Sequence, residues 1–273
     1  MIIGKFKDVT KDATAAVKHS WLAYFSKLIY RTIGIGLLSY LLSYLYSHSA
    51  FRDISVPPTM HSLIGIVIGL LLVFRTNTSY ERWWEGRKSI QAVSDLSSVI
   101  TVKLETCMPP DLSSVIKDNL KKFVNNFRKY LKANTEAKTD EFHKKQLDEI
   151  YRMMRRLKEA ELAGIITSRD AGTIEGYMAD LIRAAGTCDR IKKTPIPASY
   201  AIHIKICLFV YLLSLPFGMF RDLGVGSTLM VMLIFYIAAG IEIISNEIEN
   251  PFAGDPNDLP VDDLTNDIIK NID

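Results

Sequence analysis

The chain has 273 residues, 48% of them hydrophobic and 23% charged, with a formal net charge of +3, averages typical of a globular protein. A balance this mild, with no basic stripe interleaved with aromatics, excludes a nucleic-acid-binding surface. Three cysteines, Cys107, Cys188 and Cys207, lie far apart with no CxxC pair, which excludes a zinc site and a disulfide framework and leaves reduced thiols.

Residues 1–27 lack the apolar core and small-residue cleavage site of a signal peptide and are expected to remain as a cytosolic segment. Thr32 to Phe51 contains no Asp, Glu, Lys or Arg, and about 20 apolar residues cross a hydrocarbon core. This is the first predicted span. Tyr40, Tyr44 and Tyr46 late in it, with Trp21, Tyr24 and Tyr30 before it, fit aromatic belts at the two interfaces. A short connection at Arg52 and Asp53 leads to Ile54 through Phe74, again free of those charges, with Pro57, Pro58 and Thr59 marking the start of a second helix. Basic residues from Lys5 to Arg31 and from Arg75 to Lys88 flank this hairpin. By the positive-inside rule both of its ends face the cytoplasm.

The second helix turns from apolar to charged at LIGIVIGLLLVF followed by RTNTSYERWWEGRK, residues 63–88, with no helix breaker. Gly65 and Gly69 have the small-xxx-small spacing that lets backbones approach closely in lipid. From Arg75 onward only water or protein can solvate the side chains. If the helix continues, Ile66, Leu70 and Phe74 form one stripe above Asn77, Thr78 and Ser79. That stripe has two readings, helix packing, which is the commoner use, and a dewetting constriction in a pore.

Residues 85 to 193 hold no apolar run of spanning length and read as soluble and helical. The periodicity predicts helices over 88–106, from a cap at Asp111 through Leu131, from about Asp140 to Leu162, and from about Ser168 to Ile191 behind a Thr167 or Ser168 cap. In the third of these Phe142, Leu147, Ile150, Met154 and Leu157 share a face. Strand signals are absent, so the class is all-α. Lys144-Lys145 and Arg155-Arg156 read as solvated faces.

Thr194-Pro195-Ile196-Pro197 puts Ile196 between two prolines, on a non-helical corner. A second hairpin follows, with Ile206 to Phe220 closing at Pro216-Phe217-Gly218, a turn at Arg221-Asp222, and Leu223 to Ile241 returning. His203 and Lys205 extend the first arm by snorkelling, and His61 and His203 read as packing or interface residues. Glu242, Glu247 and Glu249 lie beyond the last span. The tail NPFAGDPNDLPVDDLTNDIIKNID gathers acidic residues, read as a helix cap or a charged strap, since the EF-hand pattern is not met.

The string FRTNTSYERWWEGR from Phe74 to Arg87, the TPIP at Thr194 to Pro197, and Asn250-Pro251-Phe252 through Pro260 resemble, in order and spacing, the bestrophin family in its bacterial branch over nearly the whole chain. The resemblance implies a homopentamer around one central pore, a neck of Ile66, Leu70 and Phe74, and a cytosolic aperture at Ile196. Eukaryotic bestrophins bind calcium just after an equivalent Asn-Pro-Phe, and Asn250, Asp255 and Asp258 fall on matching positions. Gly254, Pro256 and Asn257 stand where those proteins carry acidic residues, which argues against calcium regulation here.

The expected protein is therefore an all-α membrane protein with four transmembrane helices per chain and a helical cytosolic domain. The segments are 1–27 (cytosolic), 28–84 (first hairpin with the pore-lining helix), 85–202 (helical cytosolic domain), 203–245 (second hairpin) and 246–273 (acidic cytosolic end). It is expected in the inner cell membrane, both termini cytoplasmic, as a passive channel for monovalent anions such as chloride. The N-terminus of the pore helix at Pro57, Pro58 and Thr59 would favour anions. Asn77, Ser79, Tyr80, Arg82, Glu85 and Arg87 read as structural parts of the signature, the charged ones pinning the cytosolic half through ion pairs. Neither G-x-S-x-G, H-E-x-x-H nor a phosphate-cradling glycine loop occurs, so no enzyme and no cofactor is predicted. A cation-selective channel of the same family, a secondary transporter and a non-conducting scaffold are the rival readings.

Overall fold

A computed structural model describes residues 26, 28–48, 57–133, 136–255 and 257–272. The expected N-terminal cytosolic segment, apart from Ser26, lies outside the described residues, as do Phe51, the Arg52–Asp53 connection and Pro256. Eight α-helices account for most of what is described: α1 (Leu28–Ser47), α2 (Pro58–Cys107), α3 (Pro110–Lys132), α4 (Glu136–Leu162), α5 (Ser168–Lys193), α6 (Ala198–Leu223), α7 (Ser227–Glu249) and α8 (Val261–Ile272). A 3-10 turn, Gly224–Gly226, separates α6 from α7. There is no strand among the described residues.

Two compact units divide the chain, one of Met1–Tyr80 with Ile196–Glu247, the other of Glu81–Pro195 with Ile248–Asp273. In the first, four helices are long and apolar enough to cross a membrane, and only 22% to 33% of each apolar window is buried within the chain. The remainder of those helices has to be covered by lipid or by other chains. The contact surface of α1 is rich in small residues, as expected where lipid removes the hydrophobic drive between helices. Along α1 the buried positions are Leu28, Thr32, Gly36, Ser39, Ser43 and Tyr46, a seam at three- and four-residue spacing. A methyl at Gly36 would lie 2.6 Å from the Met232 sulfur, and Ser43 meets Ser227 across the helices at 3.5 Å. The centre of this unit is Ile68, Leu72, Ile204, Leu208, Leu212, Leu215, Val231 and Ala238.

Pro216 lies inside α6 rather than ending it, and the helix runs on through Asp222 to Leu223. The turn expected at Arg221-Asp222 is instead Gly224–Gly226, where Gly224 has φ +53, a left-handed conformation that favours glycine. A membrane helix tolerates proline because neighbouring helices re-satisfy the freed backbone groups.

The second unit packs α3, α4, α5 and α8 with the later part of α2 around Ile100, Leu104, Ile116, Leu120, Phe123, Met153, Leu157, Ile174 and Leu181. Asp111 is not the cap of α3. The helix opens on Pro109 and Pro110 with no side-chain cap bond, and Asp111 sits in its first turn, where its charge complements the helix dipole. Helix α4 starts at Glu136, about a turn earlier than the pattern predicts, and Leu147, expected on the buried face, is 46% exposed, while Met153, outside the expected set, lies in the core. Thr167 caps α5, accepting the Asp170 backbone N–H at 3.1 Å. Burial pushes the Cys188 thiol up to about 12, with Glu85 adding to the effect, so this cysteine is an inert core residue.

Candidate functional site

The outward face of α2 is the candidate site, and it is set by the residues that α2 buries. His61, Ile68, Leu72, Arg75 and Ser79 are buried, and at 3.6 residues per turn they form one seam. Ser79 shares a hydrogen bond with Ser245 of α7 at 3.0 Å. Gly65 brings α6 close, since a Cβ there would sit 2.6 Å from the Tyr211 hydroxyl, whereas Gly69 meets nothing within 4 Å and faces away from the rest of the chain.

Arg75 fixes this rotation. Among the described residues it is the largest fully buried side chain, and its guanidinium donates to Asn246 Oδ1 at 2.9 Å and lies 3.6 Å from the Glu242 carboxylate. Lys205 of α6 approaches the same carboxylate at 3.2 Å. Ionisable groups at such a depth persist only when paired. Protein therefore solvates the first charge after the apolar run, and the cluster of Arg75, Lys205 and Glu242 ties α2, α6 and α7 together.

On the opposite side of α2 lie Ile66, Leu70 and Phe74, at 69%, 52% and 54% exposure. Packing within the chain thus does not account for the stripe. Thr59 and Asn77, both exposed, fall on the same side above and below it. Pro57, Pro58 and Thr59 are exposed at the start of α2, where the Met60 N–H returns to the Pro57 carbonyl at 3.0 Å. Tyr80 is exposed at the edge of this face.

In the second unit, two of the sequence strings meet. A Cβ at Gly86 would lie 3.2 Å from both Phe252 and Pro251 and 3.4 Å from Leu259, so the glycine of the first string seats the Asn-Pro-Phe loop of the last. The Trp83 indole N–H donates to the Asn257 carbonyl at 3.1 Å. Arg82 donates to three carbonyls that end helices, those of Glu249 (3.0 Å), Thr194 (2.7 Å) and Ile191 (2.7 Å). Its hydrogen-bond partners are thus backbone oxygens, while the Glu249 and Glu85 carboxylates favour its charge against burial. Glu85 pairs with Arg190 at 2.5 Å, while Arg87 donates to Gln91 on its own helix at 3.2 Å. Residues Thr194 to Pro197 are non-helical and Ile196 is half-buried, so Arg82 holds the entry to this corner.

Asp258 Oδ2 accepts the backbone N–H groups of Gly254 (2.6 Å) and Asp255 (2.7 Å), closing a loop in which Gly254 has φ +96. Asp255 is exposed, and the Asn250 carbonyl is engaged by the Ala253 N–H at 3.2 Å. No group of three or more His, Cys, Asp or Glu able to hold a metal ion occurs among the described residues.

Sequence reasoning missed Lys192, two residues before the corner. Its ammonium donates to the carbonyls of Tyr130, Leu131 (3.0 Å) and Ala133 (2.8 Å) at the end of α3 and sits 4.8 Å from the Tyr130 ring. A lysine in the last turn of a helix gives no signal that it serves a different helix. Burial lowers Lys192 to about 8; Asp189 opposes the shift and Lys193 adds to it. An unfolded lysine titrates near 10.5, so between these values the unfolded chain binds more protons and stability rises with pH. Denaturation midpoints are expected to climb from about pH 8 toward about pH 10 in the native chain and to flatten in Lys192→Met.

The helices and the buried ion cluster define an all-α membrane protein of four spans joined to a second helical unit. The chain belongs to the bacterial and fungal bestrophin family, whose profile matches residues 21–273. A voltage-dependent anion channel-forming protein of Nostoc sp. is 34% identical over 266 residues, 89% of this chain and 85% of that one. A protein of the same description from Synechocystis sp. is 33% identical over 237 residues, covering 79% of this chain and 76% of that one. The crystal structure of a bacterial bestrophin homologue from Klebsiella pneumoniae has the same fold, with a TM-score of 0.79 at 22% identity over 88% of this chain and 96% of that one.

Proposed function

We propose that the chain is one subunit of a homopentameric channel that passes monovalent anions such as chloride down their gradient, without enzymatic activity. The observation that carries this reading is the stripe of Ile66, Leu70 and Phe74, turned away from its own chain by the seam behind it. Bulky apolar side chains on the lipid side need no fixed rotation, whereas a buried Arg75 clamp imposes one. Five copies of the stripe would form a neck that gates by dewetting. Five copies of Ile196, on a corner held by Arg82, would form a second aperture in the cytosol. The anion preference draws on the Nostoc and Synechocystis relatives, described as anion channel-forming, and on the exposed α2 N-terminus at Pro57, Pro58 and Thr59, whose dipole favours negative charge. Segments 28–84 and 203–245 would be the membrane hairpins, and 1–27, 85–202 and 246–273 would face the cytoplasm at the inner membrane.

Reversal potential tests the selectivity. Purified protein in a planar bilayer under a potassium chloride gradient is expected to reverse near the chloride equilibrium potential. Reversal near the potassium value would make the channel cationic, and silence would favour a scaffold.

A further inference from the structure

We propose that His203 and Cys207, one turn apart on α6, bind a soft divalent metal ion of the zinc class, with water completing its coordination. Both residues lie within the first unit and away from the Ile66, Leu70 and Phe74 stripe, so the inference does not rest on conduction.

At i and i+4 the two side chains share one face of the helix. The imidazole Nε2 and the thiol Sγ are 3.5 Å apart. With the thiol donating, Nε2 is the acceptor and Nδ1 carries the ring proton. Zinc bonds are about 2.3 Å to sulfur and about 2.0 Å to nitrogen, so a tetrahedral ion holds its sulfur and nitrogen ligands about 3.5 Å apart. The pair therefore already stands at the bite of such an ion, and binding exchanges a proton for a metal. The thiol S–H bond breaks and its proton passes to solvent, while the thiolate and the neutral Nε2 each give a lone pair to the ion.

The surroundings leave the pair accessible. His203 is exposed, and Cys207 is half-buried with a free thiol. Lys205, between them in the sequence, lies about 200° around the helix from each and is turned to Glu242 at 3.2 Å. Glu242 also faces Arg75, the first charge after the apolar run of α2. Positions 203 and 207 thus bracket the height at which the unit turns from apolar to polar, where water can fill the open coordination positions. Thiolate and imidazole together select zinc-like ions, whereas calcium and magnesium demand oxygen ligands. The missing CxxC pair excludes a structural site closed by four protein ligands; two ligands on one helix leave the ion open to water and exchangeable.

The test is alkylation of the whole protein in detergent with iodoacetamide, mapped by mass spectrometry with and without zinc. Cys107, also half-buried and free, is the internal control. Zinc is expected to slow alkylation of Cys207 at least tenfold and to leave Cys107 at its metal-free rate, while magnesium and calcium change neither. Cobalt reports a bound thiolate by a sulfur-to-metal charge-transfer absorption, which wild type should show and Cys207→Ser should lose. His203→Ala, at an exposed position, should weaken the protection about tenfold or more with the unfolding temperature retained, since losing even a supporting contact costs a metal site roughly 10–100-fold in affinity. Equal protection of Cys107 and Cys207 would overturn the proposal. So would wild-type protection in His203→Ala, or a cobalt band that is missing from wild type or survives Cys207→Ser.

Discussion

Replacing Ile66, Leu70 and Phe74 together with alanine is expected to raise single-channel conductance or open probability about tenfold or more. The three side chains are exposed in the chain and contribute nothing to its core, so truncation removes bulk from the proposed neck without opening a cavity in the fold. A ring of large apolar groups excludes water and imposes a barrier on ions. Lowering that barrier by about 1.4 kcal/mol is already tenfold in rate. The measurement is bilayer recording of wild type and triple variant at matched protein density. Currents that stay unchanged while the variant assembles would show that the stripe does not constrict the path.

Arg75→Ala is expected to cost more than any other single truncation in the first unit. Removing one partner of a buried ion pair costs roughly 3–5 kcal/mol, because the remaining charge is left in low dielectric. Here Lys205 remains 3.2 Å from Glu242, so the lower part of that range applies. The variant should show a large drop in unfolding temperature in detergent and a loss of the native oligomer. Arg75→Met combined with Glu242→Gln should restore much of the loss, because no buried charge is then left unpaired and Lys205, which loses its carboxylate, is half exposed. A wild-type unfolding temperature in Arg75→Ala would mean that the clamp does not hold α2.

The same residue marks the limit of what could be read in advance. Runs without charge announced the spans, and Thr167 and the Pro195-Ile196-Pro197 corner announced an end and a beginning, because caps and proline sterics act over a few residues. The pairing of Arg75 with Asn246 spans 171 positions, and no local pattern encodes it. Ser79 read as one of the polar residues under the stripe, yet it lies on the seam with Ser245. Helical phase alone separates it from Asn77, and the sequence does not state where the phase is anchored. Pro216 misled because its breaking power presumes water as the competitor for backbone groups. Likewise, the glycine at 86 carried no visible reason until Phe252 was seen against it, and the packing expected of His61 could not name its partner, the glycine 157 residues away at 218.

The central claim is that the stripe on α2 faces a water-filled path for ions, and Leu70→Cys tests it most directly. A methanethiosulfonate that carries a sulfonate is an anion, as the proposed path requires, and transfers its charged group to a thiolate as a mixed disulfide with release of methanesulfinate. Its addition is expected to alter strongly the current of the Leu70→Cys channel and to leave wild type, with its own three cysteines, conducting as before. A Leu70→Cys channel that conducts normally and ignores the reagent as wild type does would place position 70 against lipid or protein and contradict the account.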